Sequence, residues 1–183
     1  MESTPAEILR EYGPFEGAGD VHGVTFDGRY VWFASGDHLN AVDPDTGDIP
    51  APGGGGDSGM AWAEGALWVG QYLDRRIHQV EPETGRILRT ITSERYVTGV
   101  TWVEGELWHA TQEDGASEVR RIDDRTGEVL QSLEMPQGRL VSGLESDGAV
   151  RLFCGGGADG RISVIARPGG AGSGDVRTGR NRS

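Results

Sequence analysis

The feature that most constrains this chain is a glycine-led repeat. Three segments superpose on their first residue: Gly23 to Gly47 (GVTFDGRYVWFASGDHLNAVDPDTG), Gly59 to Gly85 (GMAWAEGALWVGQYLDRRIHQVEPETG) and Gly99 to Gly127 (GVTWVEGELWHATQEDGASEVRRIDDRTG). A fourth, weaker copy runs from Gly143 to Pro168, and the leading glycines are 36, 40 and 44 residues apart. Each copy alternates short period-2 apolar runs with turn signals. Ala61-Trp62, then Glu64-Gly65, then Leu67-Trp68 is an example. An acidic residue followed by Gly between two such runs predicts a tight hairpin, because the turn needs positive φ and glycine supplies it without steric cost. Asp43-Pro44-Asp45-Thr46-Gly47 and its counterparts at Glu81 and Asp123 predict a second hairpin, followed by a fourth strand such as Ile87 to Ile91 or Val129 to Leu133.

Four strands in a unit of about 40 residues is the period of a propeller blade. The 31 glycines of the 183 residues are therefore read as repeated turns and strand starts rather than as disorder. The expected fold is all-β, a small β-propeller of about four blades of four antiparallel strands over residues 1–166. The fourth copy lacks the acidic-Pro-x-Thr-Gly turn and a following strand. The segment Ala6 to Tyr12 resembles Arg86 to Ile91, so it is expected to close the ring as the outer strand of the last blade and leave no open edge. Residues 167–183, rich in Gly and Arg, are expected to be disordered. All five tryptophans (Trp32, Trp62, Trp68, Trp102 and Trp108) fall on repeat positions and are read as filling the gaps between blades.

VHGVTFDGRYVWFAS and LWVGQYLDRRIHQVEPETGRILRTI resemble blades of the virginiamycin B lyase type and of the propeller-type glutaminyl-peptide cyclotransferases. The likeness covers about residues 20–166. Those families have seven and five blades, against room for about four here. The lyase resemblance implies a magnesium-assisted elimination using His and Glu on the funnel face. Asp20-Val21-His22 is the one echo of that chemistry.

In register, the residues before the leading glycines are His22, Ser58, Thr98 and Ser142, which places a ring of small polar groups and one imidazole near the axis. His109 stands where the other copies have Phe33, Val69 and Cys154, so it is a polar core group or part of a site. Glu145 stands where they have Thr25, Ala61 and Thr101. A carboxylate there has a perturbed pKa, binds a cation or pairs with an Arg such as Arg151. The stretches Thr111 to Ser117 and Gln71 to Arg75 are read as facing rim loops, with Tyr72 and Arg75 able to hold an aromatic or anionic ligand. The candidate set is accordingly His22, His109 and Glu145 as catalytic groups, Tyr72, Arg75, Ser58, Thr98 and Ser142 as substrate-binding groups, and Asp20 and Glu113 for a divalent cation such as Mg2+.

Charge narrows the function classes. All 17 basic residues are Arg, against 29 acids and a net charge of −12. With no Lys, a Schiff base is excluded, and no basic stripe favours nucleic acid. Four Arg and one Asp from Ala166 onward make the tail +3 and leave −15 on the rest. No run is apolar enough to span a membrane, and the start lacks the basic and apolar regions of an export signal, so a cytoplasmic location is expected. The lone Cys154 is expected to be an inert core residue. The expected function is a small-molecule site on the axial face, lyase- or hydrolase-like, in a monomer or homodimer. The competing class is a non-catalytic scaffold for a protein or peptide.

Overall fold

In a computed structural model of the chain, the described residues are 3–15, 21–26, 31–35, 38–48, 53–54, 59–81, 86–157 and 160–170, and their regular structure is entirely strand. In chain order the strands are β1 (Ser3–Pro5), β2 (Ile8–Tyr12), β3 (Val21–Phe26), β4 (Val31–Ser35), β5 (His38–Val42), β6 (Gly53–Gly54), β7 (Met60–Ala63), β8 (Ala66–Gln71), β9 (Arg76–Val80), β10 (Ile87–Thr92), β11 (Tyr96–Val103), β12 (Glu106–Glu113), β13 (Ala116–Ile122), β14 (Val129–Glu134), β15 (Gly143–Ser146), β16 (Arg151–Gly155) and β17 (Ile162–Ala166). They pair into four sheets, β3-β4-β5-β6, β7-β8-β9-β10, β11-β12-β13-β14 and β15-β16-β17-β2. We call these the first to fourth sheets. The first three are antiparallel meanders and the fourth is an antiparallel sheet of the consecutive β15, β16 and β17 with β2 added, while the third also carries β1 parallel to its outer strand β14, with Ser3 opposite Ser132. β2 lies antiparallel to β17, with Ile162 opposite Tyr12 and Ile165 opposite Ile8. No helix among the described residues is long and apolar enough to cross a membrane.

Local chemistry explains the meanders. Glu64-Gly65 (φ 52 and 76), Glu104-Gly105 (φ 50 and 79) and Asp114-Gly115 (φ 49 and 77) all have two central residues at positive φ, the primed turn whose twist suits a two-residue hairpin. The stretch 111–117, read from sequence as a loop, is instead strand up to Glu113 and again from Ala116, because Asp114-Gly115 alone suffices to reverse the chain. In the second hairpin Asp123 Oδ1 accepts the amides of Arg125 (3.0 Å) and Thr126 (2.7 Å), and Asp43 Oδ1 does the same for Asp45 and Thr46. Both are turns in which a short carboxylate replaces backbone acceptors. Those amides hold Asp123 below the usual carboxylate range.

The leading glycines are where neighbouring sheets touch. A Cβ on Gly59 would lie 2.9 Å from Gly99 Cα, and one on Gly99 would lie 2.6 Å from Leu144 N and 3.0 Å from Gly143 C. Backbones approach this closely only without side chains. Packing runs from the second sheet to the third through β7, β8 and β11, to the fourth through β11 and β15, and to the first through β15 and β3. Among the described residues no packing of comparable extent joins the first and second sheets.

Three apolar cores fill these contacts. Trp68, Ile77 and Ile91 meet Val100, Leu107 and Ile122 between the second and third sheets. Trp108, Ala110, Val119 and Leu133 meet Leu144, Leu152, Cys154 and Ile165 between the third and fourth. Phe153, Ile162, Val164 and Tyr12 meet Val21, Val24, Val31 and Val42 between the fourth and first. Trp68 and Trp102 stack with centroids 5.5 Å apart. Trp62 departs from the expected filling role. It is next to Ala61, the register partner of Trp68, so it points to the opposite face of the second sheet and is 64% exposed. Arg167, just past β17, is buried and binds Glu104, Glu106 (2.8 Å) and the carbonyl of Ala149 (2.6 Å). Residues 171–183 lie outside the described part.

Candidate functional site

Strand alternation turns neighbours Trp108 and His109 of β12 to opposite faces of the third sheet. Trp108 enters the core shared with the fourth sheet. His109 faces the second sheet, opposite Val100 on β11 and Arg120 on β13. The same face carries Thr111, paired with Glu118, and Ser132, paired with Arg120. His109, Arg120, Thr111 and Ser132 are all at most 3% exposed. One half of a sheet face is therefore buried yet polar, beside the apolar half of Leu107 and Ile122.

A cleft of about 220 Å³ opens between the two sheets at this boundary. Ile77 and Ile91 form one wall, Ile122 and Val129 the other, and Ser93, Glu94, His109 and Arg120 supply its polar groups. Burial first, and the Arg120 guanidinium second, push His109 down to about 3 against a smaller opposing effect of Glu118. The imidazole is thus neutral at ordinary pH. Its Nδ1 is buried without a hydrogen-bond partner, a costly condition for a core group.

Arg120 is held by two carboxylates of different character. Nε donates to Glu118 Oε2 at 2.8 Å, and that oxygen also accepts from Ser132 Oγ at 2.6 Å while Arg95 binds Oε1. Burial alone raises Glu118, but these donors outweigh it and keep the carboxyl below its usual range. Nη1 reaches Glu94 Oε1 at 3.0 Å, and here the Arg120 side chain is 4% exposed while that of Glu94 is 72% exposed.

Near this cleft, Arg75 places Nη1 and Nη2 each 3.1 Å from an oxygen of Glu113, the Nη2 contact having hydrogen-bond geometry and the Nη1 contact being an ion pair alone. Its guanidinium lies 4.1 Å from the centroid of Tyr96, on which Tyr72 stacks at 4.8 Å. Arg75 also donates to the carbonyl of Glu94, so the bend between β10 and β11 ties this cluster to one residue that lines the cleft.

Tyr72, Arg75 and Glu113 are therefore brought together, whereas His109 lines the cleft and touches none of them. Glu145 is elsewhere, on β15, accepting from Thr101 Oγ1 and from Ser146 N at 2.8 Å, while Arg151 is taken up by Asp147 at 2.7 Å. Thr98 is partly buried with an unpartnered Oγ1, and Ser142 N donates to Gly155 O at 2.7 Å; each precedes a glycine at a sheet contact. β3 carries His22, of whose side chain nothing is described, and Asp20 and Ser58 lie outside the described residues. Among the described residues no group of three or more His, Cys, Asp or Glu could hold a metal ion. Burial pushes the Cys154 thiol well up, consistent with an inert core residue.

Arg120 and Glu94 were missed by sequence reasoning. Arg120 was within reach: counting outward from Asp114-Gly115, it is the fifth pair of the hairpin, opposite His109. No comparable signal marks Glu94, because its part depends on how two sheets meet.

No protein-family model matches the chain, and no curated protein matches it. Solved structures that are similar include a glutaminyl cyclase from Myxococcus xanthus (14% identity, 90% of this chain and 97% of that one, TM-score 0.48) and Sqt1 from Saccharomyces cerevisiae (15%, 76% and 41%, 0.44). A chain of a mitotic checkpoint complex is also similar (15%, 80% and 49%, 0.48). This chain thus spans about half or less of the last two.

Proposed function

We propose that the chain is a four-bladed propeller that binds a small molecule in the cleft between its second and third blades, with the strand Ile8–Tyr12 completing the fourth blade. The observation that carries this reading is His109. It is a neutral imidazole, 1% exposed, that lines a 220 Å³ cleft beside a buried guanidinium, and its buried Nδ1 has no partner. A purely structural role leaves that nitrogen unsatisfied, whereas a bound polar group satisfies it. With a pKa pushed to about 3, the ring is a poor general base near neutrality, so its role is to orient a ligand. The lyase or hydrolase reading needs a free acid on the axial face, and Glu145 is already engaged by Thr101 and Ser146. A scaffold reading draws on the exposed pair Tyr72 and Leu73, the latter 80% exposed.

Screening small polar fragments against the protein, with His ring resonances followed by NMR, tests the proposal. Fragments that shift His109 in the wild type and not elsewhere support it; a library that never perturbs that ring refutes it. For ring closure, deleting residues 1–13 should unfold or oligomerise the protein. A truncated monomer with an unchanged melting curve ends that part of the reading.

A further inference from the structure

We propose that the ligand of this cleft is a small carboxylic acid with a short apolar body, and that the Glu94 carboxylate occupies the ligand's place on Arg120 until it binds. The inference rests on the cleft being a ligand site, and adds its chemical class and an internal competitor.

The two carboxylates on Arg120 differ in how replaceable they are. Glu118 is fixed by Ser132, Arg95 and Arg120 together. Glu94 reaches Nη1 through one oxygen and is otherwise in solvent. An ion pair with one exposed member contributes little net stability, so exchanging Glu94 for another carboxylate keeps the buried guanidinium paired at small cost. The exchange needs no backbone movement, because the Glu94 carbonyl is held by Arg75 while its side chain is free to rotate outward.

Charge selects the incoming group. Arg95 and Arg120 balance Glu94 and Glu118, so withdrawal of Glu94 leaves one uncompensated positive charge on a buried guanidinium. A carboxylate neutralises it, an amide does not, and an amine adds to it. With Nε held by Glu118, Arg120 keeps the N–H donors of its two Nη groups, which suit the two oxygens of a carboxylate. His109, as a neutral imidazole, has one ring N–H to give the ligand's second oxygen. Beyond that head group the walls are Ile77, Ile91, Ile122 and Val129, which suits a body of a few branched or aromatic carbons.

The test is a titration of wild type, Glu94→Gln and His109→Val with carboxylates from propanoate to 4-methylpentanoate and phenylacetate, each beside its primary amide and the matching amine, followed by NMR and calorimetry. Glu94 is mostly exposed, and valine is what the preceding repeat carries at the position of His109, as Val69, so both variants are expected to fold. Branched or aromatic carboxylates should bind about tenfold or more tighter than their amides and amines. Glu94→Gln should tighten carboxylate binding about threefold or more, and His109→Val should weaken it about tenfold. A gain of affinity on removing a negative charge from the mouth is the diagnostic result. If amides bind as well as acids, or Glu94→Gln leaves carboxylate affinity unchanged or lower, the proposal is overturned while the cleft still stands as a ligand site. If no compound perturbs His109 in wild type or Glu94→Gln, both readings fall.

Discussion

The two faces of the third sheet are built from the same four strands and hold their neighbours in different ways. Toward the fourth sheet, Trp108, Ala110, Val119 and Leu133 interlock with Leu144, Leu152 and Ile165, a dry contact of large and small side chains. Toward the second, only the half around Val100, Leu107 and Ile122 is apolar. The rest of that face is His109, Arg120, Thr111 and Ser132, buried to the same degree but unable to pack without partners. Apolar packing is non-directional and fills space. A polar face needs donors matched to acceptors, and where the match is incomplete a cleft remains. Within one sheet, one interface therefore supplies stability and the other supplies chemistry.

Four changes would break or sharpen this contrast. Trp108→Ala removes the largest side chain of the dry face and its hydrogen bond to Glu106; urea unfolding should show a loss of about 3–5 kcal/mol. Gly99→Ala forces a Cβ against the backbone of Leu144 and should cost about 2 kcal/mol, with a larger loss than Gly115→Ala, whose added Cβ meets nothing within 4 Å.

The third change is in pH. Folding depresses the pKa of His109 from its ordinary 6.5 to about 3. Below about 6.5 the unfolded chain takes up a proton that the native protein refuses. Stability from this group is therefore complete above 6.5 and falls by about 1.4 kcal/mol per pH unit as the pH drops toward 3. The depressed carboxyls of Glu118 and Asp147 add their own losses only below the ordinary carboxylate range. Chemical unfolding between pH 6.5 and 4.5 should thus isolate the histidine, and a flat profile would mean that His109 is hydrated or partnered. Fourth, His109→Val should abolish that slope and, at pH 7.5, raise stability by about 1 kcal/mol by removing an unsatisfied buried nitrogen. A destabilised variant would show that the imidazole already has a partner in the ligand-free protein.

Much of the meander was legible because its causes are local. Acidic-Gly pairs dictate primed turns, and Asp43 and Asp123 dictate the second turns. The likeness of Ala6 to Tyr12 to an outer strand pointed to its pairing with β17, because that strand had no other source. His109 stood out because one imidazole interrupted an apolar column. What was not legible depends on how sheets meet. Trp62 and Trp68 look equivalent in sequence, but alternation buries one and exposes the other. Glu94 lies in a linker with no repeat pattern, and its meaning comes from Arg120 on a different sheet. The three-residue β1 gains its place only from β14, some 130 positions away, a separation that no local pattern encodes.

The Ile8–Tyr12 strand has a further consequence in time. Glu11 and Ser163 meet across 152 positions of sequence, so β2 leaves the ribosome long before its partner strand exists. During synthesis the first three meanders can form from local contacts, while the fourth sheet is held back by the slow closure of a very long loop. Until β17 has been made, β2 is a strand with an unpaired edge on the nascent chain.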